Sequence, residues 1–299
     1  MRKFVVDSHS ENQRIDIYLI DLLELSRTKI QKLIKSGDIL VNNKGVKTKY
    51  LLKANEVITV KNIPNDEVKL KPEKIDLDIV YEDDDVVVIN KANGMVVHPA
   101  NGINSGTLAN ALLYHFKELS DINGELRPGI VHRLDAYTTG LLVVAKNNAA
   151  HLTLKKQLKE RTMSRKYYAL VWGVINNDSG TIDAPIGRDI SNRKRFTVTD
   201  INSKDAFTQF KVIKRFKDAT LVEVKLQTGR THQIRVHFNY IGHPVVNDPV
   251  YGRRKTIDKT GQCLHAKVLG FVHPTTNEYM EFTSELPNEF INIMNKFES

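Results

Sequence analysis

The residues best placed to do chemistry lie in the stretch 127–146, RPGIVHRLDAYTTGLLVVAK. Arg133 and Asp135 are separated by Leu134, so in an extended loop both charges face one side while Leu134 anchors the loop inward. Residues 140–146 form an apolar run fit for a buried strand, and Gly129, Ile130 and Val131 suggest the end of another. Residues 132–139 then connect two strands, the kind of loop in which binding and catalytic groups concentrate. Taken alone, His-Arg-Leu-Asp is more often an Asp capping a turn beside a solvated Arg. A further cation stands at Arg235. Thr231 is placed to N-cap a short helix whose Ile234, Phe238 and Ile241 face the core, with Gly242 and Pro244 ending it. Arg235 is one position round from Ile234, beside the core and not in bulk water. A guanidinium there favours the charged form of any carboxylate it meets.

Metal chemistry is not expected. Of ten histidines, His232 and His237 are five apart and so point to different sides of a helix or strand. No H-E-x-x-H or Cys–His spacing occurs. Phosphate-loop and dinucleotide fingerprints are missing too, so no cofactor is expected.

The elements around these residues suggest two domains, residues 1–62 and 75–299, joined by a linker at 63–74 rich in proline and alternating charge. In the first, residues 14–24 carry Ile15, Leu19, Leu22 and Leu23 at helical spacing. Ser26 is placed to N-cap a second helix with an Ile30, Leu33, Ile34 stripe, ended by Gly37. Arg27, Lys29, Lys32 and Lys35 lie off that stripe and make a basic face. Strands follow at 39–41 and 57–60, after the turn signal Asn42-Asn43-Lys44-Gly45. In the second domain a strand at 86–89 precedes a helix capped by Thr107, and Asn147 opens another helix running to about Arg161. Strands then dominate, with a hairpin signal at Lys217-Asp218-Ala219. Runs of strands with few helices between them predict an α+β fold on a mixed, largely antiparallel sheet.

A chain of 299 residues allows two domains and a sizeable core. The net charge of +9 favours a polyanionic partner, nucleic acid before membrane. The single Cys263 excludes an internal disulfide and any multi-cysteine zinc site. The N-terminal apolar run is too short for a secretory signal and no stretch is long enough to span a membrane, which predicts a cytoplasmic protein.

Four segments in register resemble the RluA-type pseudouridine synthases: 105–112 (SGTLANAL), 127–146, 165–173 (RKYYALVWG) and 228–237 (TGRTHQIRVH), followed by Leu264-His265-Ala266. The resemblance spans roughly residues 75–290 and implies that family's fold, a long mixed sheet crossed by a cleft. It implies a reaction in which uridine in RNA loses its N-glycosidic bond, turns, and is rejoined through carbon five. Such an isomerisation needs neither a redox partner nor an energy source. By resemblance, Asp135 is the catalytic residue, Tyr167 covers the uracil face, and Arg235 lies against Asp135. A stacked base must first be flipped out, at a cost of a few kcal/mol, and Arg133 is the residue that would fill the vacated space. His132 and Arg230 are expected to touch RNA as well. The chain departs from the family at Ala136-Tyr137, where Lys-Asp is common, and at Asn247, where Gly is common. Residues 1–62 resemble an S-four-type RNA-binding domain, with Asn55-Glu56 where Gly-Asp is frequent. That layout is most similar to RluD-type members, so RNA is the expected partner, large-subunit (23S) ribosomal RNA ahead of tRNA; no protein partner is implied. Two other classes remain: an inactive RNA-binding assembly factor, and a glycoside hydrolase, which would need two carboxylates at one sugar.

If the basic face holds RNA backbone, replacing Lys29, Lys32 and Lys35 together weakens binding regardless of sequence. Each lost phosphate contact lowers the slope of log affinity against log salt by about 0.7. Affinities measured across a salt series test this; an unchanged slope makes the three lysines ordinary surface residues.

Overall fold

The computed structural model describes residues 2–23, 25, 27–61, 70–99, 103–124, 126–192, 195–252 and 256–298. They form two compact units, Met1–Glu67 and Val68–Ser299.

The smaller unit runs β1 (Arg2–Val5), α1 (Ile15–Leu23), α2 (Arg27–Ser36), β2 (Ile39–Val41) and β3 (Val57–Val60). Its antiparallel sheet has the order β1-β3-β2. Strand β1 carries no alternating signal, because only Phe4 among its residues turns partly inward. The apolar stripes of α1 and α2 meet as their spacing dictates, burying Ile15, Leu19, Leu23, Ile30, Leu33 and Ile34. Leu22, expected inward, is exposed in the last turn of α1. Ser26, the expected N-cap, lies outside the described residues. Asn42 and Asn43 both take positive φ (48° and 61°), and Val41 and Lys44 exchange backbone hydrogen bonds of 2.9 Å across them. Between the helices sits the buried carboxylate of Asp16. Burial alone would raise its pKa, but donation from Arg14, Gln31 and Arg27 pulls it down to about 2. Arg27 thus ties the start of α2 to α1 through Nε, while its side chain stays exposed on the basic face.

Residues 62–69 of the linker region are outside the described set. Beyond them the expected linker is fastened to the larger unit: Leu70 joins its core, and the Lys71 and Glu73 backbones hydrogen-bond Asn110.

The larger unit runs β4 (Asp78–Glu82), β5 (Val86–Lys91), α3 (Leu108–His115), β6 (Thr139–Ala145), α4 (Asn148–Glu160), β7 (Ser164–Trp172), β8 (Ser179–Asp183), β9 (Ile186–Arg188) and β10 (Phe196–Val198). It continues through β11 (Phe207–Arg215), β12 (Ala219–Leu226), α5 (Gln233–Tyr240), β13 (Leu264–Val272), β14 (Tyr279–Thr283) and α6 (Asn288–Asn295). Nine strands make one mixed sheet, ordered β4-β5-β6-β13-β7-β12-β11-β8, with β14 also paired to β13. Only β6 with β13 is parallel; the other pairs are antiparallel. Strands β9 and β10 form a separate hairpin.

The continuous apolar runs follow from a sheet covered on both faces. Leu142 and Val144 of β6 pack with α3 and α5 on one face, while Leu141 and Val143 pack with α4 on the other. Thr107 closes the start of α3 in a reciprocal cap with Asn110, and Asn147 caps α4, which ends at a left-handed Arg161. Gly140 (φ 103°) lets β6 cross close to β13, since a Cβ there would lie 2.3 Å from the Ala266 carbonyl oxygen. The expected strand end at residues 129–131 is only a single bridge, Ile130 to Val144. Among the described residues no helix is long and apolar enough to cross a membrane.

His265 fixes the β6–β13 crossing, with its ring nitrogens 2.8 Å from Thr139 Oγ1 and 2.9 Å from Ser284 Oγ. Burial, aided by Lys267, pushes its pKa down to about 4 from the ordinary 6.5. The unfolded chain therefore binds a proton that the folded one refuses. Stability should fall as pH drops from about 6.5 towards about 4, with His265 contributing at most about 1.4 kcal/mol per pH unit. His265→Gln should flatten that fall in denaturant titrations at pH 7 and pH 5. Equal slopes in the two proteins would assign the titration elsewhere.

Candidate active site

A cleft of about 360 Å³ opens where the 132–138 loop meets the start of α5 and the first half of β7. That size suits a small-ligand site. Arg133, Asp135, Tyr167, Arg230 and Arg235 all line it, and so does His132. Asp135 is the only carboxylate among the lining residues.

Four attachments hold the loop. The Val143 N–H donates to His132 Nε2 (3.1 Å), Leu134 is buried in the core, and Lys91 Nζ donates to the Ala136 carbonyl (2.8 Å). Gln262 donates to Thr138 Oγ1 (3.1 Å), and the Thr138 N–H returns to the Asp135 carbonyl (3.0 Å). His132 thus fastens the loop to β6 through Nε2 while lining the cleft. Burial and the nearby Arg165 push its pKa down to about 3, so it stays neutral and keeps accepting. Lys91 is almost fully buried and also donates to the Ala92 and Met95 carbonyls. Burial drives its pKa down to about 7, with the Asp135 charge opposing.

Arg235 joins the two halves of the site. Its Nη1 donates to Asp135 Oδ2 at 2.8 Å, while Nε and Nη2 grip both oxygens of Asp248 at 2.7 and 2.9 Å. Asp248 also accepts the Val250 and Tyr251 N–H groups. Burial would raise its pKa, yet the Arg235 fork and these amides hold it below the ordinary carboxylate value. Tyr251 lies under the guanidinium, 5.1 Å from ring centre to Cζ. Its hydroxyl accepts from the Phe196 N–H and lies 2.9 Å from His232 Nδ1. A hydroxyl that donates to Nδ1 leaves the imidazole proton on Nε2, which faces Asp135 Oδ1 at 3.7 Å. His232 itself begins α5 in a left-handed conformation, without a side-chain cap. Thr231 is therefore not the N-cap. Gln233 closes that turn instead, its Oε1 accepting from the Arg230 N–H and the Thr228 hydroxyl.

Tyr167 is buried beside Asp135, and its pKa is raised, mainly by burial, so it remains a phenol at neutral pH. Arg133 rests on His98, Nη1 to Nε2 at 3.0 Å, and Arg230 donates to the Asp205 carbonyl at 2.8 Å. Tyr137 packs over Gly261, away from the cleft lining, so the Ala136-Tyr137 departure leaves the pocket open. Asn247 takes a φ of 62°, a conformation Gly shares and Asn tolerates. Its side-chain oxygen accepts the Ile257 and Asp258 N–H groups. Lys29 is half-buried on α2, while Lys32 and Lys35 are exposed.

A family model described as RNA pseudouridylate synthase matches residues 85–240, just over half of the chain, and an S4 domain model matches residues 13–58. The chain belongs to the RNA pseudouridylate synthase family. Membership makes it an isomerase acting on RNA. It is 52% identical over 286 residues to an uncharacterized RNA pseudouridine synthase, YlyB, of Bacillus subtilis, covering 95% of this chain and 94% of that protein. It is 42% identical over 293 residues to ribosomal large subunit pseudouridine synthase D of Pseudomonas aeruginosa, covering 93% and 90%. Human RNA pseudouridylate synthase domain containing 1 superimposes with a TM-score of 0.58 at 26% identity, over 79% of this chain and 98% of that one.

Asp248 and Tyr251 belong to the synthase site but were not singled out from sequence; the one signal was an Asp and a Tyr three apart beside a proline. Removing one partner of a buried ion pair strands the other charge. Asp248→Ala should therefore lower stability by about 3–5 kcal/mol. Pairing it with Arg235→Met should cost less than the sum of the two single changes. Additive losses in urea unfolding would mean the pair is not coupled.

Proposed function

We propose that this synthase isomerises uridine in large-subunit (23S) ribosomal RNA, in the cytoplasm, with Asp135 as its catalytic carboxylate. The observation that carries the assignment is the isolation of Asp135: one carboxylate lines the cleft, held at 2.8 Å by a buried Arg235 and set beside Tyr167. A glycoside hydrolase would need a second carboxylate facing the same sugar, and Asp248 is wholly buried behind the guanidinium. The large-subunit substrate is supported by the name and near full-length similarity of the Pseudomonas aeruginosa relative.

In this scheme the RNA backbone is held by exposed Lys32 and Lys35 on the S4 domain and by half-buried Arg230 at the cleft. Half-buried Lys29 adds its charge to the same face of α2. The target uridine flips into the cleft, and Arg133 swings from His98 into the gap in the stack, where its plane lies between bases. Asp135 acts on the ribose, either by attack at the anomeric carbon or by removing a sugar proton. Arg235 is its positioning residue. Tyr167 lies against the uracil as a neutral phenol, which favours a packing role for it over that of a phenolate base.

Asp135→Asn tests this directly. It preserves shape but removes the charge and the nucleophilic oxygen, so pseudouridine formation on transcribed large-subunit ribosomal RNA should fall below detection. RNA affinity should stay within a few-fold, because phosphate contacts supply most of it. A well-folded Asp135→Asn enzyme with normal turnover would refute the assignment. Pseudouridine mapping in ribosomal RNA and tRNA from a strain lacking the protein tests the substrate; loss confined to tRNA would overturn that part.

A further inference from the structure

Arg165 is a buried cation that the scheme above leaves unused. It precedes Tyr167 by two residues on β7, so the two side chains leave the same face of the sheet. Both line the cleft. Arg165 is only 8% exposed, and its Nε is fully enclosed with no hydrogen-bond partner. The other arginines of the cleft are each engaged: Arg133 with His98, Arg230 with the Asp205 carbonyl, Arg235 with two carboxylates. Among the described residues the Arg165 side chain has no hydrogen bond or ion pair. A buried charge left unpaired is costly, and a fold that keeps one inside a ligand cleft has a counter-group to meet there. Gly229 makes room for it: a Cβ at that position would stand 2.9 Å from Arg165 Nη1.

We propose that Arg165 donates to a carbonyl oxygen of the target uracil and holds the negative charge that the base carries between bond breaking and bond making. The proposal rests on the assignment of this cleft to the flipped uridine. A flipped uridine offers phosphate oxygens, ribose hydroxyls and base carbonyls. Phosphates remain at the mouth, within reach of exposed Lys159 or half-buried Arg230. Arg165 lies inside the wall, next to the ring that covers the base. When the C1′–N1 bond breaks, its electron pair leaves with the uracil and spreads over O2 and O4. The turned base then uses an electron pair at C5 to form the new bond to C1′. C5 loses its proton and N1 gains one, so the sequence balances without any co-reactant. Arg165 acts only as a hydrogen-bond donor and exchanges no proton. Donors fixed where charge develops, in a site closed to water, are worth most in such a step.

The test measures single-turnover pseudouridine formation at saturating enzyme on transcribed large-subunit ribosomal RNA. Affinity across a salt series and melting temperature are measured on the same preparations. Arg165→Gln should lower the saturated rate by about 10²-fold, with affinity within a few-fold and an unchanged salt slope. Arg165→Lys should recover part of that rate. Gly229→Ala leaves the charge in place but pushes the guanidinium aside, and should slow the saturated rate by up to about 10²-fold with little change in melting. A normal saturated rate in Arg165→Gln, with weaker binding and a slope lower by about 0.7, would make Arg165 a phosphate contact and overturn the proposal. Rate and melting falling together, with no recovery in Arg165→Lys, would make it structural and overturn it equally. Asp135→Asn is run beside them: normal turnover there would remove the cleft assignment itself, a failure distinct from either Arg165 result.

Discussion

The site depends on one guanidinium shared by two carboxylates. Asp248 takes two donors of Arg235 in a fork, and the planarity of the group then fixes where the remaining Nη1 points, which is at Asp135. A single Asp–Arg pair would tether Asp135 without orienting it. Buried ion pairs are weak contributors to net stability because desolvation cancels much of the attraction. What this one contributes is direction. Asp248 is itself immobilised by two backbone amides that follow it in the chain, so the orientation is inherited from the backbone at Val250 and Tyr251. The guanidinium also closes the cleft on that side and separates Asp248 from anything bound there.

Across from it, the 132–138 loop is held as tightly as a strand without pairing like one. His132 accepts an amide of β6, Lys91 reaches the Ala136 carbonyl from the end of β5, and Leu134 is sunk in the core. A loop fixed at several points loses little entropy when substrate binds, which favours positional accuracy at Asp135. Lys91 does this with three carbonyl acceptors and no carboxylate. Burial therefore weighs against its charged form, and Asp135 opposes that tendency. The carboxylate and the amine that tethers its loop are thus electrostatically linked.

Much of this was legible in the chain, for identifiable reasons. Thr107 and Asn147 announce their helices because a cap is a local interaction across three residues. Arg235 was placed beside the core by the period of Ile234 and Phe238, and the structure brings it to Asp135. What escaped depends on partners distant in sequence. Arg27 belongs to a basic stripe by composition, and no local pattern announces that its Nε also donates to Asp16, eleven residues earlier. Nothing local to His132 announces that its Nε2 accepts the Val143 amide. Thr231 has the chemistry of an N-cap, but the positive φ falls one residue later, at His232, whose contacts with Tyr251 hold that backbone. Asp248 carried no periodic signal, since its burial is decided by Arg235.

The cations of the molecule divide by depth, and depth decides what each can do. Lys32 and Lys35 on α2 and Lys159 at the cleft stand in water, where attraction to phosphate is long-ranged, screened by salt and indifferent to sequence. In the proposed scheme such groups bring RNA to the surface and hold it there. Arg235 and Arg165 are inside, at 4% and 8% exposure, where screening is slight and each interaction depends on geometry. They contribute little to the first encounter with a polyanion. In the proposed scheme their effect begins once a nucleotide has left its stack and excluded the water between them. The net charge of +9 thus measures affinity for nucleic acid in general. If the cleft takes a flipped uridine, discrimination among uridines comes from which nucleotide the RNA can turn out of its stack towards two buried guanidiniums and one carboxylate.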